Sequence, residues 1–339
     1  MQPASQIRAS RLVSDRGHDD TVLPFAVAPL DLRGRLVRLG PAIDRILSRH
    51  DYPSAVARLA GEAAALTVLL GSSLKIDGRF QMQTRTDGIV DMIVVDFDGP
   101  DRLRAFARFD SARLNEAIAQ GRTEPGDLLG HGHLAFTIER GGDLARYQGV
   151  VALEGDSFEE AAHRYFRQSE QIPTFVRLAV GENVTGSGSN WRAGGLLVQF
   201  LPAAPERRRQ PDFDPGDAPE GVTKSAAVAI EDDAWTEGKA LAATVEDHEL
   251  VDPMLSGERL LYRLFHERGV RVFESQSIQD VCRCSTERVA SMLRQFTPQE
   301  RADMVGDNGK IGVTCEFCST HREFDPAEFD NPRPEKVTQ

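Results

Sequence analysis

All four cysteines of this 339-residue chain lie between positions 282 and 318. Cys282 and Cys284 form a Cys-Arg-Cys pair, and Cys315 and Cys318 form Cys-Glu-Phe-Cys. Thirty residues separate the pairs, and the preceding 281 residues hold no cysteine. Free cysteine used as a small core hydrophobe is buried by type but not clustered by type. Two thiolates one or two residues apart reach a single ion. Two such pairs complete the tetrahedral four-sulfur site of structural zinc. The Cys-x-Cys half is tighter than the two-to-four-residue spacing of ordinary zinc ribbons. A disulfide framework is the competing arrangement. It is disfavoured because nothing in the first twenty residues reads as a secretory signal, and cytosolic thiols are kept reduced. His321 follows Cys318 closely, but four sulfurs already saturate the ion, so this histidine is expected at the surface.

The same sulfurs permit a switch. Thiolates are the species oxidants attack. Metal-binding free energy in small modules is largely folding free energy, on the order of 10 kcal/mol. Oxidation that consumes the ligands would therefore unfold the module. A disulfide across one residue closes a strained ring, and strained disulfides are the more easily reduced kind.

The formal net charge is −12. That argues against nucleic acid as a partner, which wants a basic face. It also favours solubility when apolar surface is exposed. No uninterrupted 18-residue apolar run is present; the longest candidate, Ala55 to Leu70, contains Arg58 and Glu62. The expectation is a soluble, cytoplasmic protein that does not use a membrane.

Along the chain, residues 1–20 are polar and read as a flexible N-terminus. Thr21 to Val37 suggests a hairpin. Pro41 to Ser48 suggests a short helix opened by proline, and a longer alanine-rich helix starts at Pro53 and stops at Gly71. Arg79 to Arg85, Ile89 to Phe97, Leu103 to Phe109, His133 to Glu139 and Tyr147 to Leu153 read as strands. Glu124 to Gly132 reads as a glycine-rich turn that lacks the features of a phosphate loop. Ser157 and Glu160 form a capping box for a helix through Gln168. Phe175 to Val180 and Asn190 to Pro202 are strands, and the paired glycines Gly194 and Gly195 mark a close backbone approach. Glu170 and Arg192 are polar candidates for which buried pairing is the expectation.

Composition shifts near Ala203. Glu206 to Leu250 contains twelve acidic residues against five Lys or Arg. Pro205 to Val222 reads as a flexible linker. Ala226 to Val251 reads as one marginal amphipathic helix carrying Ile230, Trp235, Leu241 and Val245. Ser256 to Arg268 is a stronger one, with Leu260, Leu261, Leu264 and Phe265 on one face. Patterning alone is equally compatible with permanent docking and with a region that undocks and shows its apolar face. After Gly269 come a short strand at Val270 to Phe273, a helix capped by Ser285, another opened by Thr297-Pro298, and a strand leading into Cys315.

Beyond the cysteines, the chain carries HDYP at His50 to Pro53, LLGSSLKIDGRF at Leu69 to Phe80, YQGVVALEGDSFEEA at Tyr147 to Ala161, YFRQSEQIPT at Tyr165 to Thr174 and AGGLLVQFLP at Ala193 to Pro202. With the cysteine spacing, these segments resemble the heat-shock protein 33 family, redox-regulated holdase chaperones of bacteria, over roughly residues 20 to 325. The resemblance implies an α/β core of mixed sheets and packed helices (21–205), an acidic, partly helical linker (206–268), a four-cysteine zinc domain (269–325) and a disordered tail (326–339). It implies one Zn2+ on Cys282, Cys284, Cys315 and Cys318 in a reduced, inactive state. It implies Cys282–Cys284 and Cys315–Cys318 disulfides on oxidation, zinc release, linker unfolding and ATP-independent binding of unfolding client proteins, commonly as a homodimer. Thiol reductants and an ATP-dependent refolding chaperone would complete the cycle. The chain departs from the family pattern in a longer acidic, proline-bearing segment, Glu206 to Glu220, and in Arg322, where an aromatic is expected.

The leading expectation is a redox-switched holdase rather than an enzyme. Its client surface is expected to include Trp235, Leu241, Leu260, Leu264 and Phe265. The alternative is a regulatory or nucleic-acid-binding protein with a permanent zinc ribbon. A thiol oxidoreductase using Cys315 and Cys318 ranks third, and four sulfurs leave no open metal position for hydrolysis.

Overall fold

The computed structural model describes residues 19–74, 78–140, 147–186, 188–202 and 232–329. The polar N-terminus, the proline-bearing linker from Pro205 to Val222, Ile230 and the tail beyond Phe329 lie outside the described residues.

One helix organises the fold. Its sequence, SAVARLAGEAAALTVLLG, is apolar around most of its circumference, interrupted by Arg58 and Glu62, so it has to be buried on more than one side. The short helix α1 (Pro41–Ser48), with proline in its first turn, leads into this helix, α2 (Ser54–Gly71). Fourteen of the eighteen residues of α2 are buried, and a sheet lies on each side of it. Its alanines keep the layer thin. It alone among the described helices has the length and apolarity to cross a membrane, and 78% of that window is buried inside the protein.

The first sheet is built from β1 (Thr21–Val27), β2 (Leu32–Leu39), β8 (Thr174–Thr185) and β9 (Gly188–Phe200). Its order is β10 (Arg271–Val272), β1, β2, β9, β8, with β11 (Gln276–Ser277) also on β1. The second holds β3 (Gly78–Thr86), β4 (Met92–Asp98), β5 (Arg102–Arg108), β6 (His131–Arg140) and β7 (Tyr147–Glu154), in the order β12-β5-β4-β3-β6-β7. Alternation sets the faces. On β3, Phe80, Met82 and Thr84 point into the core, as the sequence pattern predicts.

Two short helices, α3 (Ser111–Ala119) and α4 (Pro125–Leu129), join β5 to β6. The latter occupies the stretch that reads as a turn. Helix α5 (Phe158–Tyr165) has the expected Ser157–Glu160 capping box, but its last turn widens over Phe166–Glu170. Glu170 and Arg192 do not pair. Tyr165 donates to Glu170 at 2.8 Å, while Arg192 pairs with Asp19.

The far face of the first sheet is covered by α6 (Asp233–Ala242), α7 (Asp247–Val251) and α8 (Gly257–Phe265). The stretch that reads as one helix to Val251 is therefore broken. Ala243 ends α6, and Glu246 opens α7 through its own capping box with Glu249. The layer order is thus second sheet, α1 and α2, first sheet, then α6 to α8.

The chain after α8 does not leave the core at once. β10 (Arg271–Val272) and β11 (Gln276–Ser277) pair with β1, and β12 (Gln279–Asp280) runs parallel to β5. A small module follows: α9 (Thr286–Leu293), α10 (Pro298–Asp303) and the hairpin of β13 (Ile311–Thr314) and β14 (His321–Phe324). Ser285 caps α9, and Thr297 with Glu300 boxes α10, where the sequence places them.

Candidate metal centre

The module brings the two cysteine pairs together. Cys282 and Cys284 lie between β12 and α9, and Cys315 and Cys318 lie in the β13–β14 turn. That turn is closed by the Cys315 amide donating to the Thr320 carbonyl at 3.1 Å and the Ser319 amide donating to the Cys315 carbonyl at 2.8 Å. All four are free thiols, and their Sγ atoms lie within 4.8 Å of one another. Cys282 stands 3.7 Å from Cys315, and Cys284 stands 3.3 Å from Cys318. Four sulfurs bound to one zinc at about 2.3 Å stand about 3.8 Å apart. The donor set, its number and its spacing therefore fit one soft divalent ion. His321 stays outside the cluster, exposed, with Nδ1 2.9 Å from the Thr314 hydroxyl. Arg322, at the expected aromatic position, donates to the Cys284 carbonyl at 3.5 Å.

The thiols are electrostatically unequal. For Cys318, burial acts upward but is outweighed by hydrogen bonds from Thr320 and the neighbouring thiols, which bring it down to about 6. For Cys284, burial and then the adjoining thiols push it up to about 12, and burial also raises Cys315.

The module has little core of its own: Ala290, Leu293, Ile311, Phe324 and Phe329. Five buried residues cannot offset the ordering of a segment this long. An ion held by the four cysteines would add to the stability of this module.

The second cysteine turn rests on the core through Phe317. The Arg104 guanidinium lies 3.9 Å from the Phe317 ring centre and 3.9 Å from the Cys282 sulfur. His50 Nε2 is 3.3 Å from the Phe317 carbonyl, and its Nδ1 is 3.2 Å from the Ser319 hydroxyl. A neutral ring satisfies both contacts by donating from Nε2 and accepting at Nδ1. Burial holds this histidine below its usual range. Sequence reasoning missed this role, although HDYP is one of the conspicuous motifs.

The expected client residues are all in one place, and covered. Trp235, Leu260, Leu264 and Phe265 are buried, and Leu241 packs beside them, against Leu23, Phe25, Leu32, Leu36, Leu196 and Phe200 of the first sheet. Phe265 stacks on Phe25 with ring centres 5.6 Å apart. Two glycines allow the approach. A Cβ on Gly194 would stand 2.4 Å from the Leu250 carbonyl oxygen, and one on Gly238 would stand 2.3 Å from Leu32 Cδ1.

Two arginines from the sheet clamp the end of α7. Arg192 Nε donates to the Val251 carbonyl at 2.6 Å, and Arg38 donates to the carbonyls of Asp252 and Leu255. These carbonyls, at or just beyond the C-terminus of α7, include ones left without helical partners, at the end that attracts cations. Arg38 is one of three arginines in β2, and nothing in the sequence separates it from Arg33 and Arg35.

Comparison with known proteins agrees along nearly the whole chain. The family model described as Hsp33 protein matches residues 20–325. A 33 kDa chaperonin of Caulobacter vibrioides is 45% identical over 310 residues, covering 91% of this chain and 95% of that protein. One from Photobacterium profundum is 33% identical over 308 residues, covering 91% and 92%. The crystal structure of a 33 kDa chaperonin (heat shock protein 33 homolog) from Thermotoga maritima superposes with a TM-score of 0.70 at 20% identity, covering 92% of this chain and 97% of that one.

Proposed function

The chain belongs to the Hsp33 protein family, whose members are chaperones, and from that premise we propose that it is an ATP-independent holdase switched by oxidation of its four cysteines. The observation that carries the reading is the four free thiols within 4.8 Å of one another, in a module with only five buried core residues. Cys282, Cys284, Cys315 and Cys318 would hold the ion, proposed as Zn2+, which supplies a fixed tetrahedral link between the two halves of the module.

Oxidation acts on the ligands. Two thiolates give two electrons to hypochlorous acid, forming one S–S bond and leaving chloride and hydroxide. With peroxide, two hydroxides leave instead. The proposed pairs are Cys282–Cys284 and Cys315–Cys318, so two oxidant molecules consume the whole donor set. The module then lacks the link that offset its ordering cost. Between the module and α8 the chain is fastened to core strands β5 and β1 through β12, β11 and β10, so release of the helical layer requires these pairings to open as well. Undocking of α6 to α8 would expose Trp235, Leu241, Leu260, Leu264 and Phe265, together with the sheet face beneath them, to unfolding clients. Dimerisation when oxidised, reset by thiol reductants, handover to an ATP-dependent refolding chaperone and a cytoplasmic location belong to the same proposal.

The test is light scattering from a heat-denatured client without ATP, with the protein either reduced and zinc-loaded or hypochlorite-treated. Suppression only after oxidation, with zinc released, is the expected result. Equal suppression in both states would make the holdase constitutive. No suppression in either state, with zinc retained, would favour a permanent zinc ribbon.

A further inference from the structure

The residue between the first two cysteines is an arginine, and its charge is seated in the core. Arg283 Nε lies 2.8 Å from Asp98 Oδ2, and Nη2 lies 3.6 Å from Asp96 Oδ2. Both carboxylates belong to β4 and are buried, Asp96 completely. The segment leading to Arg283 is fastened too. The amides of Gln279 and Val281 donate to the carbonyls of Asp101 and Leu103 at 2.7 and 3.2 Å, and Asp280 pairs with Arg45 of α1 and with Arg49, which caps that helix.

Arg283 is not the only cation on these acids. Arg104 Nε, from β5, donates to Asp96 Oδ2 at 2.8 Å, and Arg79, from β3, lies 3.6 Å from Asp98 Oδ1. Gln81 donates to Asp96 Oδ1 at 2.7 Å. Stripping every cation from a buried carboxylate pair would be costly. Here two of the three guanidinium groups belong to core strands and stay when the module goes. Arg283 is the one that the cysteine module supplies, so it can leave without orphaning the acids. A contact built this way is suited to repeated release.

Its neighbours decide when it can be seated. With both cysteines turned towards the shared cluster, Arg283 projects the other way, into β4. A disulfide between Cys282 and Cys284 needs their Cβ atoms about 3.8 Å apart, which makes Arg283 the apex of a small ring and reorients its backbone. Building on the redox reading above, we propose that Arg283 is the latch that couples the first cysteine pair to the core. It is seated on Asp98 and Asp96 while the cysteines converge on the cluster, and withdrawn when they bridge each other as hypochlorite takes two electrons from their thiolates.

Amide hydrogen exchange on the full chain, zinc-loaded and reduced, tests the latch. Arg283→Gln and, from the core side, Asp98→Asn are both expected to raise exchange at Gln279 and Val281 by about tenfold or more, with the zinc content and the protection of α2 unchanged. Asp98→Asn leaves the cysteine segment untouched, so it decides the matter if Arg283→Gln loses metal. Unchanged exchange at both amides in Asp98→Asn overturns the latch. No oxidant enters this arm, so it stands or falls separately from the redox switch. In the unsubstituted protein, a Cys282–Cys284 disulfide established by mass spectrometry should bring the same rise. Continued protection with that disulfide formed also overturns the proposal.

Discussion

The first sheet carries a helical layer on each face, and the two layers are built on different terms. On one face lies α2, eighteen residues long and fixed between two sheets. On the other lie α6, α7 and α8, of ten, five and nine residues. Helices shorter than about 12–15 residues are marginal in water, so this second layer is helical because it is docked. It is held by a compact apolar cluster and by two arginines on backbone carbonyls. One layer is part of the fold, whereas the other is a ligand of the fold that happens to be covalently attached.

The largest effect that would break this contrast lies on the permanent face. Leu66→Ala is expected to cost about 2–5 kcal/mol of global stability, read as a lower denaturant midpoint for the whole core. The equivalent insult on the other face should stay local. Leu264→Asp puts an unpaired carboxylate among Phe25, Leu36 and Leu261 and should open α6 to α8 to protease in the reduced protein. The thermal transition of the core should be kept. An unchanged digestion pattern would count against releasable docking.

A smaller effect sharpens the role of the clamp. Arg38→Met keeps much of the apolar stem but leaves the Asp252 and Leu255 carbonyls without their donor, at a cost of about 1–3 kcal/mol. It should appear as faster exchange in α7 and α8, with α2 unaffected.

The smallest expected effect is a pH dependence. Burial, then the carboxylates of Glu159 and Asp247, push Glu62 from 4.5 up to about 8, against the opposing charges of Arg58 and Arg177. Asp247 belongs to α7, so this strain crosses the docking surface. Undocking removes the Asp247 carboxylate but leaves α2 buried, so Glu62 is raised less in the open state, and the docked state binds more protons as pH approaches about 8. Docking therefore weakens as pH rises towards that value and levels off above it. Trp235 fluorescence in a Trp191→Phe background should report this slope, and Glu62→Gln should flatten it.

The sequence made the permanent layer and the cysteines legible for the same reason: each is written as a dense local pattern. An alanine-rich run with only two charges in eighteen residues has to be largely buried, and two close cysteine pairs point to a shared site. The capping residues Ser157, Ser285 and Thr297 were readable because their hydrogen bonds span three residues. What escaped was long-range or sparse. Helix α3 buries only Leu114 and Ala117, too little to show a period, and its signal was the Asp110 cap. The two-residue strands β11 and β12 are shorter than any alternation can reveal, whereas β10 falls inside the strand expected at Val270 to Phe273. Arg38 and Arg283 look like solvent charges, and Arg192 is expected in a buried pair without its partner being legible, because the partners lie far away in sequence, 59 positions in the hydrogen bond from Arg192 to Val251.

The central claim is that the two layers part company on oxidation. Amide exchange along the full chain, compared between zinc-loaded reduced protein and hypochlorite-treated protein, tests it most directly. The account predicts that α6 to α8 and the segment from Cys282 to Phe324 lose protection together, while α2 and β9 keep theirs. Loss of protection in both layers at once, or in neither while zinc is released, would contradict it.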